Sequence, residues 1–337
     1  MSKRIGLIDV DGHNFPNIPL MKLSAWHKAQ GDHVEWYDPM FSPHMDIVYM
    51  SKVFSFTPDY EYPIWADEIR CGGSGYCITL ENGQEVYDSD RDAELPPEIE
   101  RIYPDYSIYF NDNAVVVDEA TGEILGLTAE EKRKRDTAYG FLTRGCPRGC
   151  SFCHVEAKEG RASRKVADLK EFWNGQKNIV LCDPNILACR EWKDLFYQLG
   201  ASNAWIDFNQ GLDIRLMTEE KAEMIRKLKT KQLHFAWDRF QDKEHILPKF
   251  QLFKEITGKR DRDLSVYVLC NFDTTIEQDL ERIYTLRELG YWAYVMLYDK
   301  EHIPKGHILR KLQRWVNNRV IFASCPTFEE YLQKKGR

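Results

Sequence analysis

The sequence contains a compact group of cysteines whose spacing suits a metal cofactor. Cys146, Cys150 and Cys153 form a C-x3-C-x2-C run, and no fourth cysteine lies close by. Three thiolates on one short loop can bind three irons of a [4Fe-4S] cluster, which leaves the fourth iron without a protein ligand. An iron with an open position can bind and activate a small molecule, as open metal sites generally do. The alternative is a zinc knuckle, in which His154 would be the fourth ligand.

Phe152 stands directly before the last cysteine, and the complete motif resembles that of the radical S-adenosylmethionine (SAM) superfamily. In that family, SAM binds the fourth iron through its amino and carboxylate groups. An electron from the cluster cleaves SAM to methionine and a 5′-deoxyadenosyl radical, which abstracts a hydrogen atom from the substrate. The resemblance implies an enzyme with a [4Fe-4S] cluster, SAM and a reducing partner such as flavodoxin or ferredoxin. It does not identify the substrate.

Composition narrows the class of protein further. The net charge of −7 argues against a surface generally adapted to nucleic acid, although a local basic patch stays compatible with it. No apolar run reaches the roughly 18 residues that span a membrane, and the N-terminus is too short for a secretory signal. Outside the triad the cysteines are scattered, which is typical of thiols in a reducing cytosol. We therefore expect a cytoplasmic protein.

The first part of the chain predicts a Rossmann-like parallel sheet. Apolar runs at 5–10, 33–37 and 46–50 read as strands, and residues 19–30 carry an apolar stripe of helical period that ends at Gly31. A strand, a helix and two further strands in this order are typical of an α/β unit. We expect a first domain over residues 1–128.

This region resembles the cobalamin-binding-type domain that precedes the barrel in many radical SAM enzymes. The resemblance implies that Asp11 and His13 form the cobalt-proximal loop and that Gly72 and Gly73 approach the nucleotide tail. Pro16 stands where the family's loop ends in glycine. Since several such domains bind no cobalamin, a scaffold without cobalamin is the favoured reading, and a loop histidine with only local contacts is the alternative for His13.

Two hairpins and a connector are predicted after this sheet. Asn82-Gly83 suits the tight turn of a hairpin formed by residues 77–80 and 85–87. Residues 115–117 and 124–127 suit a second hairpin around Thr121-Gly122, with an irregular linker as the alternative. The acidic, proline-bearing segment 88–105 reads as a surface connector.

From Tyr139 onward, strands and helices alternate. Apolar runs are found at 140–143, 178–181, 204–208, 233–237, 264–269 and 292–297, with helical stretches at 190–199, 218–228 and 276–289. Six β/α units fit the partial (β/α)6 barrel of the radical SAM family. We expect this barrel over residues 129–325, followed by a C-terminal tail at 326–337.

In parallel barrels the functional residues gather where the strands end. The family resemblance implies that polar residues at these ends bind SAM, and helix capping is the alternative for each of them. Asp183 and Asn185 are candidates for the SAM amino group. Gln210, Asp213 and Arg215 are candidates for its ribose and carboxylate, Asp238 for SAM or substrate, and Asn271 for adenine. Phe152 completes the predicted SAM-binding set.

Basic residues surround the cysteines: Arg144, Arg148, Lys158, Arg161, Arg164 and Lys165. They are either solvated loop charges or contacts for an anionic substrate, a nucleic acid or an acidic electron donor. Two alternatives to a radical SAM enzyme without cobalamin stay open. One is a cobalamin-dependent radical SAM methyltransferase, and the other is a non-catalytic iron–sulfur or zinc module that binds nucleic acid or a protein partner.

Overall fold

The computed structural model describes residues 2–81 and 84–335. The chain forms two compact units, Met1–Val180 and Leu181–Arg337. The domain boundaries predicted after residues 128 and 325 stay predictions. In the part of the chain that the structure describes, no helix has both the length and the apolar character needed to cross a membrane.

The first unit begins with a four-stranded parallel sheet in the order β2-β1-β3-β4. Its elements are β1 (Arg4–Asp9), α1 (Ile18–Ala29), β2 (His33–Trp36), β3 (Met45–Ser51) and β4 (Ala66–Gly72). The three predicted strands and the helix are confirmed. The fourth strand was missed because it lies at the sheet edge with mostly exposed side chains, so it shows no apolar alternation.

The core of this sheet includes a segment that the sequence placed on the surface. Ile5, Leu7 and Ile47 of the sheet pack with Leu20 of α1 and with Ile99. Ile99 belongs to the segment predicted as a surface connector. That prediction is therefore wrong in part, since a short helix carries an apolar side chain into the core.

Both predicted hairpins form. The elements that follow the sheet are α2 (Ser74–Cys77), β5 (Ile78–Glu81), β6 (Gln84–Tyr87), α3 (Pro97–Glu100), β7 (Val115–Val117), β8 (Ile124–Leu127) and α4 (Ala129–Arg135). β5 pairs with β6 and β7 pairs with β8, both antiparallel. The predicted turn residues Asn82 and Gly83 lie outside the described residues.

The remainder of the first unit carries the cysteine motif. It comprises β9 (Thr137–Gly140), β10 (Thr143–Arg144), α5 (Val155–Glu159) and β11 (Arg164–Lys165), and it ends within β12 (Asn178–Leu181). The strand predicted at 140–143 is displaced, because regular pairing ends at Gly140 and resumes at Thr143. The Phe172 ring packs on Gly140, where a Cβ would lie 2.4 Å from the ring, so the end of this strand requires glycine.

The second unit alternates strands and helices as predicted. Its elements are α6 (Trp192–Ser202), β13 (Trp205–Phe208), α7 (Glu219–Lys227), β14 (Lys229–Thr230), β15 (Leu233–Ala236), α8 (Lys243–Thr257), β16 (Leu264–Cys270), α9 (Ile276–Glu288), β17 (Trp292–Leu297), α10 (Ile308–Asn317), α11 (Arg319–Ser324) and α12 (Phe328–Lys335). β15, β16 and β17 form a parallel sheet, and β13 pairs with β14 in parallel. Both units are therefore α/β.

The structure has helices after the last strand that the sequence did not predict. Residues 326–337 were predicted as a tail, yet α12 packs there with Phe328 and Tyr331 buried. Phe328 lies 5.4 Å from the ring of Trp315 on α10, which is itself fully buried. Burial of these large rings stabilises the C-terminal helices more than their intrinsic propensity does.

Candidate functional site

Two short paired strands close the base of the cysteine loop. Thr143 and Arg144 of β10 pair antiparallel with Lys165 and Arg164 of β11. Between them, the Cys146 amide donates to the carbonyl of Gly160 at 3.2 Å. The chain therefore leaves and re-enters the loop at one fixed point, which limits the positions available to the three cysteines.

Glycines set the shape of the loop. Gly145 has a φ of +86°, and a Cβ at this position would lie 2.3 Å from the carbonyl oxygen of Ala162. Gly149 has a φ of +53°, and its Cβ would lie 2.4 Å from a carboxylate oxygen of Glu156. At Gly145 the positive φ and the close approach to a backbone carbonyl both require glycine, whereas at Gly149 the positive φ favours glycine and the near atom belongs to a flexible side chain. Gly145 precedes Cys146 and Gly149 precedes Cys150, so each glycine shapes the loop beside one of the cysteines.

The structure brings the three cysteines near one another. The Cys153 amide donates to the Cys150 carbonyl at 2.9 Å. The pKa of the Cys153 thiol is raised to about 11, chiefly by burial of its sulfur and also by the like charges of Cys150 and Cys146. The Cys153 residue as a whole is nevertheless exposed, so the loop is accessible while its sulfur is shielded locally. Phe152 is half-buried in the same loop.

The donor set fits a [4Fe-4S] cluster held by three thiolates. Among residues 2–81 and 84–335, no group of three or more His, Cys, Asp or Glu side chains is arranged to hold one metal ion. In a [4Fe-4S] cluster each cysteine thiolate binds a different iron, so the three sulfur atoms need not surround a single metal ion. His154, the fourth ligand required by the zinc alternative, places its Nδ1 2.5 Å from a carboxylate oxygen of Glu85.

Glu159 braces the start of the loop. One carboxylate oxygen accepts from the Gly145 amide at 2.9 Å, and the other accepts from the Arg144 guanidinium at 2.8 Å. The backbone carbonyl of Glu159 accepts from Arg164 at 2.6 Å. The Glu159 side chain is mostly buried, which strengthens these charge-assisted bonds. We interpret Glu159 as a positioning residue that sequence analysis missed, since nothing local distinguishes it from a solvated helix residue.

Several of the basic residues near the cysteines contact carboxylates of the protein. Lys158 lies 3.1 Å from Asp92, Lys165 lies 2.6 Å from Asp168, and Arg161 pairs with Glu156. These contacts add to the Arg144–Glu159 pair. An anionic partner at this surface therefore stays a prediction.

The cobalamin-like residues have structural roles in the first unit. Asp11 accepts from the Val53 amide at 2.5 Å and from the Thr57 hydroxyl at 2.6 Å, so it caps the loop after β3. A Cβ on Gly73 would lie 2.4 Å from the Lys52 carbonyl oxygen. Gly73 therefore approaches protein backbone, whereas a Cβ on Gly72 would meet only Ala93, at 3.7 Å. Their predicted contact with a nucleotide tail stays a prediction.

His13 lies against an aromatic cluster. Its ring is 4.2 Å from that of Trp36 and 5.6 Å from that of Tyr109. Burial lowers the pKa of His13, with a smaller effect from the positive charge of Lys134. A neutral imidazole can serve as a metal ligand. Local packing alone also explains the contacts of His13 with Trp36 and Tyr109.

In the second unit, strand-end residues form a polar network. The Asn185 amide donates to Asp213 at 3.2 Å, and Asp213 accepts from Arg215 Nε at 2.7 Å. Arg215 also donates to Asp242 at 3.3 Å. Asn185 and the Asp213 side chain are almost fully buried. The structure therefore brings together predicted SAM residues from two different loops and adds Asp242, which the sequence analysis had not selected.

Asp238 belongs to the same electrostatic environment. Burial raises the pKa of its carboxyl to about 6, and the positive charges of Arg215 and Arg282 partly oppose that increase. The group therefore titrates close to physiological pH, as groups in functional sites often do.

The other predicted SAM residues have different placements. Asp183 is buried after β12, whereas Gln210 is exposed after β13. Asn271 has a positive φ and donates to the Tyr298 carbonyl at 3.0 Å. Its amide thus links the segments that follow β16 and β17.

A fully buried ion pair supports this end of the sheet. Arg282 of α9 donates to the carbonyls of Trp237 and Asp238 at 2.6 and 2.8 Å, and to Asp279 at 2.5 Å. Both charged side chains are 0% exposed. Sequence analysis missed them because an Asp and an Arg three residues apart usually lie on the solvated face of a helix.

One face of the strands in the second unit carries polar and aromatic side chains. Asp207 on β13, His234 on β15, and Tyr267 and Tyr294 on neighbouring strands alternate with buried apolar residues. The His234 ring stacks on Tyr267 at 5.4 Å, and burial lowers the pKa of His234. Period-two alternation in these strands was the signal that could have identified them.

The sequence matches no protein-family model and no curated protein. Solved structures of TsrM, a radical S-adenosylmethionine methyltransferase from Kitasatospora setae, are similar in fold. The one with cobalamin and a [4Fe-4S] cluster bound has a TM-score of 0.56 at 13% identity and covers 88% of this chain and 75% of its own. The one with tryptophan substrate and the SAM analog aza-SAM has a TM-score of 0.55 at 12% identity, covering 88% and 73%. At this identity the likeness concerns the fold, and it confirms the predicted α/β class with a Rossmann-like domain and a radical SAM-type barrel.

Proposed function

We propose that this protein is a radical SAM enzyme whose cluster is held by Cys146, Cys150 and Cys153. The observation that carries the proposal is the cysteine loop, in which three thiols lie on one short segment whose backbone has positive φ at Gly145 and Gly149. The likeness in fold to a radical SAM methyltransferase supports the same reading. When bound, the cluster supplies one electron for reductive cleavage of SAM.

The protein's own part in this proposal is to hold and orient the cofactors. Glu159 fixes the entry of the loop through Gly145 and Arg144, so that the thiols keep their spacing. In the second unit, Asp213 and Asp242 hold the Arg215 guanidinium in place. Arg215 stays a candidate for the SAM carboxylate, since a guanidinium can bind a planar carboxylate. Asp183, Asn185, Gln210, Asp238 and Asn271 stay candidates for its other polar groups.

Anaerobic reconstitution with iron and sulfide tests the proposal. We expect about four irons and four sulfides per chain, and dithionite with SAM should then yield 5′-deoxyadenosine. Cys146→Ala, Cys150→Ala and Cys153→Ala should each abolish that product. Cys71→Ala is the matched control, because Cys71 is an exposed cysteine on β4. A fully loaded protein that forms no 5′-deoxyadenosine would contradict the proposal and favour the non-catalytic module.

Cobalamin-dependent methyl transfer is the second candidate function. The fold likeness to a methyltransferase with cobalamin bound favours it, and a first domain that serves only as a scaffold is the alternative. Adding hydroxocobalamin during reconstitution decides between them. A bound visible chromophore that survives gel filtration, and that His13→Ala alters, supports methyl transfer, and its absence leaves the first domain as a scaffold.

A further inference from the structure

The first unit contains a cavity of about 600 Å³ that the proposed cluster and SAM chemistry does not use. It opens at the carboxyl ends of β1 and β2, against residues 7–10, and is completed by residues 58–62. Ligands of open parallel sheets bind beyond the carboxyl ends of the strands, and the volume lies within the roughly 300–1,000 Å³ of small-molecule sites.

The walls of the cavity are aromatic and held in place. The Trp36 Nε1 donates to the Ile108 carbonyl at 2.7 Å. The Tyr37 hydroxyl donates to the Pro63 carbonyl at 3.2 Å and accepts from the Trp65 amide at 2.8 Å. These bonds fix both rings and fasten the segment that follows Tyr60 and Tyr62. The cavity is thus formed before any ligand binds.

The charged side chains in the lining of the cavity are acidic. Its lining includes Asp9, Asp59 and Glu61 and contains neither lysine nor arginine. Lys52 pairs with Asp59 from beside the lining, so Asp9 and Glu61 are the carboxylates that can act on a ligand. Asp9 accepts a hydrogen bond from Tyr109 at 2.6 Å, and burial and the neighbouring Asp11 raise its pKa to about 6. A negative potential of this kind disfavours phosphates and favours cations.

We propose that this cavity binds a small organic cation that joins a protonated amine to an aromatic or apolar body. The amine pairs with the carboxylates of Asp9 and Glu61, and the body packs against the rings of Trp36 and Tyr62. Aromatic faces attract cations as well as apolar groups, so rings and carboxylates act together. The proposal does not depend on the cluster or on SAM cleavage.

Calorimetric titration of the full-length reconstituted protein tests this with two compounds of matched shape. We expect 2-phenylethylamine to bind with a Kd on the order of 1 mM, a value typical of a ligand this small. Phenylacetate, which has a carboxylate in place of the amine, should bind at least about tenfold more weakly because its charge is repelled. Equal binding of the two compounds, or no binding of the amine, overturns the proposal.

Variants locate the binding. Asp9→Asn keeps the shape of the side chain and its capacity to accept from Tyr109, and it should weaken amine binding about tenfold. Glu61→Gln changes an exposed side chain and should weaken binding about two- to fivefold. Glu98→Gln removes the same charge from an exposed position on α3 outside the cavity lining and should leave binding unchanged. If all three variants bind the amine equally, the site lies elsewhere and the proposal is wrong.

Discussion

The buried Arg282–Asp279 pair provides the sharpest test of the structure. Arg282 donates to the carbonyls of Trp237, Asp238 and Leu269 as well as to Asp279, and both charges are 0% exposed. Arg282→Met removes the guanidinium while keeping a long apolar side chain. The variant leaves a buried carboxylate without its counter-charge and three carbonyls without their donor.

The expected loss is about 3–5 kcal/mol of unfolding free energy, the usual cost of breaking a buried ion pair from one side. With a urea m-value of about 2 kcal/mol/M, the midpoint should fall by about 2 M. The urea midpoint of Arg282→Lys should lie between those of the parent protein and Arg282→Met, because an ammonium keeps the charge but cannot reproduce the guanidinium fork. Urea unfolding followed by circular dichroism measures all three.

An exposed pair supplies the control. Arg226 and Glu223 on α7 form an i,i+3 ion pair with both side chains about half exposed. Arg226→Met should therefore cost less than about 1 kcal/mol. If Arg282→Met shifts the midpoint no more than Arg226→Met does, the buried pair does not brace the ends of β15 and β16, and our account of this site fails.

Three further predictions concern the site itself. Gly145→Ala should sharply lower iron content after reconstitution, whereas Gly160→Ala should retain more iron. Both glycines have positive φ, but only a Cβ at position 145 would meet backbone atoms within 4 Å. Equal iron content in the two variants would show that the close approach does not matter. Glu159→Ala should lower the free energy of unfolding by about 1.5–3 kcal/mol and reduce bound iron, as measured by urea unfolding and iron analysis. A variant with full iron and unchanged stability would rule out the positioning role of Glu159. Because the pKa of Asp238 is raised from 3.8 to about 6 in the fold, the parent protein loses stability as pH rises from about 4 to about 6. In this range the carboxyl ionises in the unfolded chain but stays protonated in the folded state, and the loss is complete above it. Asp238→Asn should therefore become more stable than the parent protein as pH rises from 4 to 8, by about 1–3 kcal/mol at the upper end, and a pH-independent difference in urea midpoints would contradict the assigned pKa.

Short-range patterns in the sequence predicted much of the fold. The runs at 178–181 and 292–297 have the length and apolar character of buried strands, and both form strands with the predicted bounds. The hairpin strands at 115–117 and 124–127 also form. In each case neighbouring residues carry the signal, so local propensity and tertiary packing agree.

Long-range packing decided what the sequence did not show. β4 is held by pairing with β3 although its own side chains are mostly exposed. Ile99 enters the core from a segment that reads as a polar connector. The role of Gly73 also depends on a distant backbone, since its close approach is to the carbonyl of Lys52. None of these contacts leaves a periodic pattern in the sequence.

The sequence by itself determined the proposed donor set, because the number and spacing of thiols on one loop are covalent properties of the chain. Cys146, Cys150 and Cys153 were selected in this way. Only the tertiary structure decided which charges are buried together, as with Arg282 and Asp279, and which strand-end residues meet, as with Asn185 and Asp213. The reason is that burial and contact depend on residues far apart in the chain, and the energy of a charge depends on its surroundings more than on its identity.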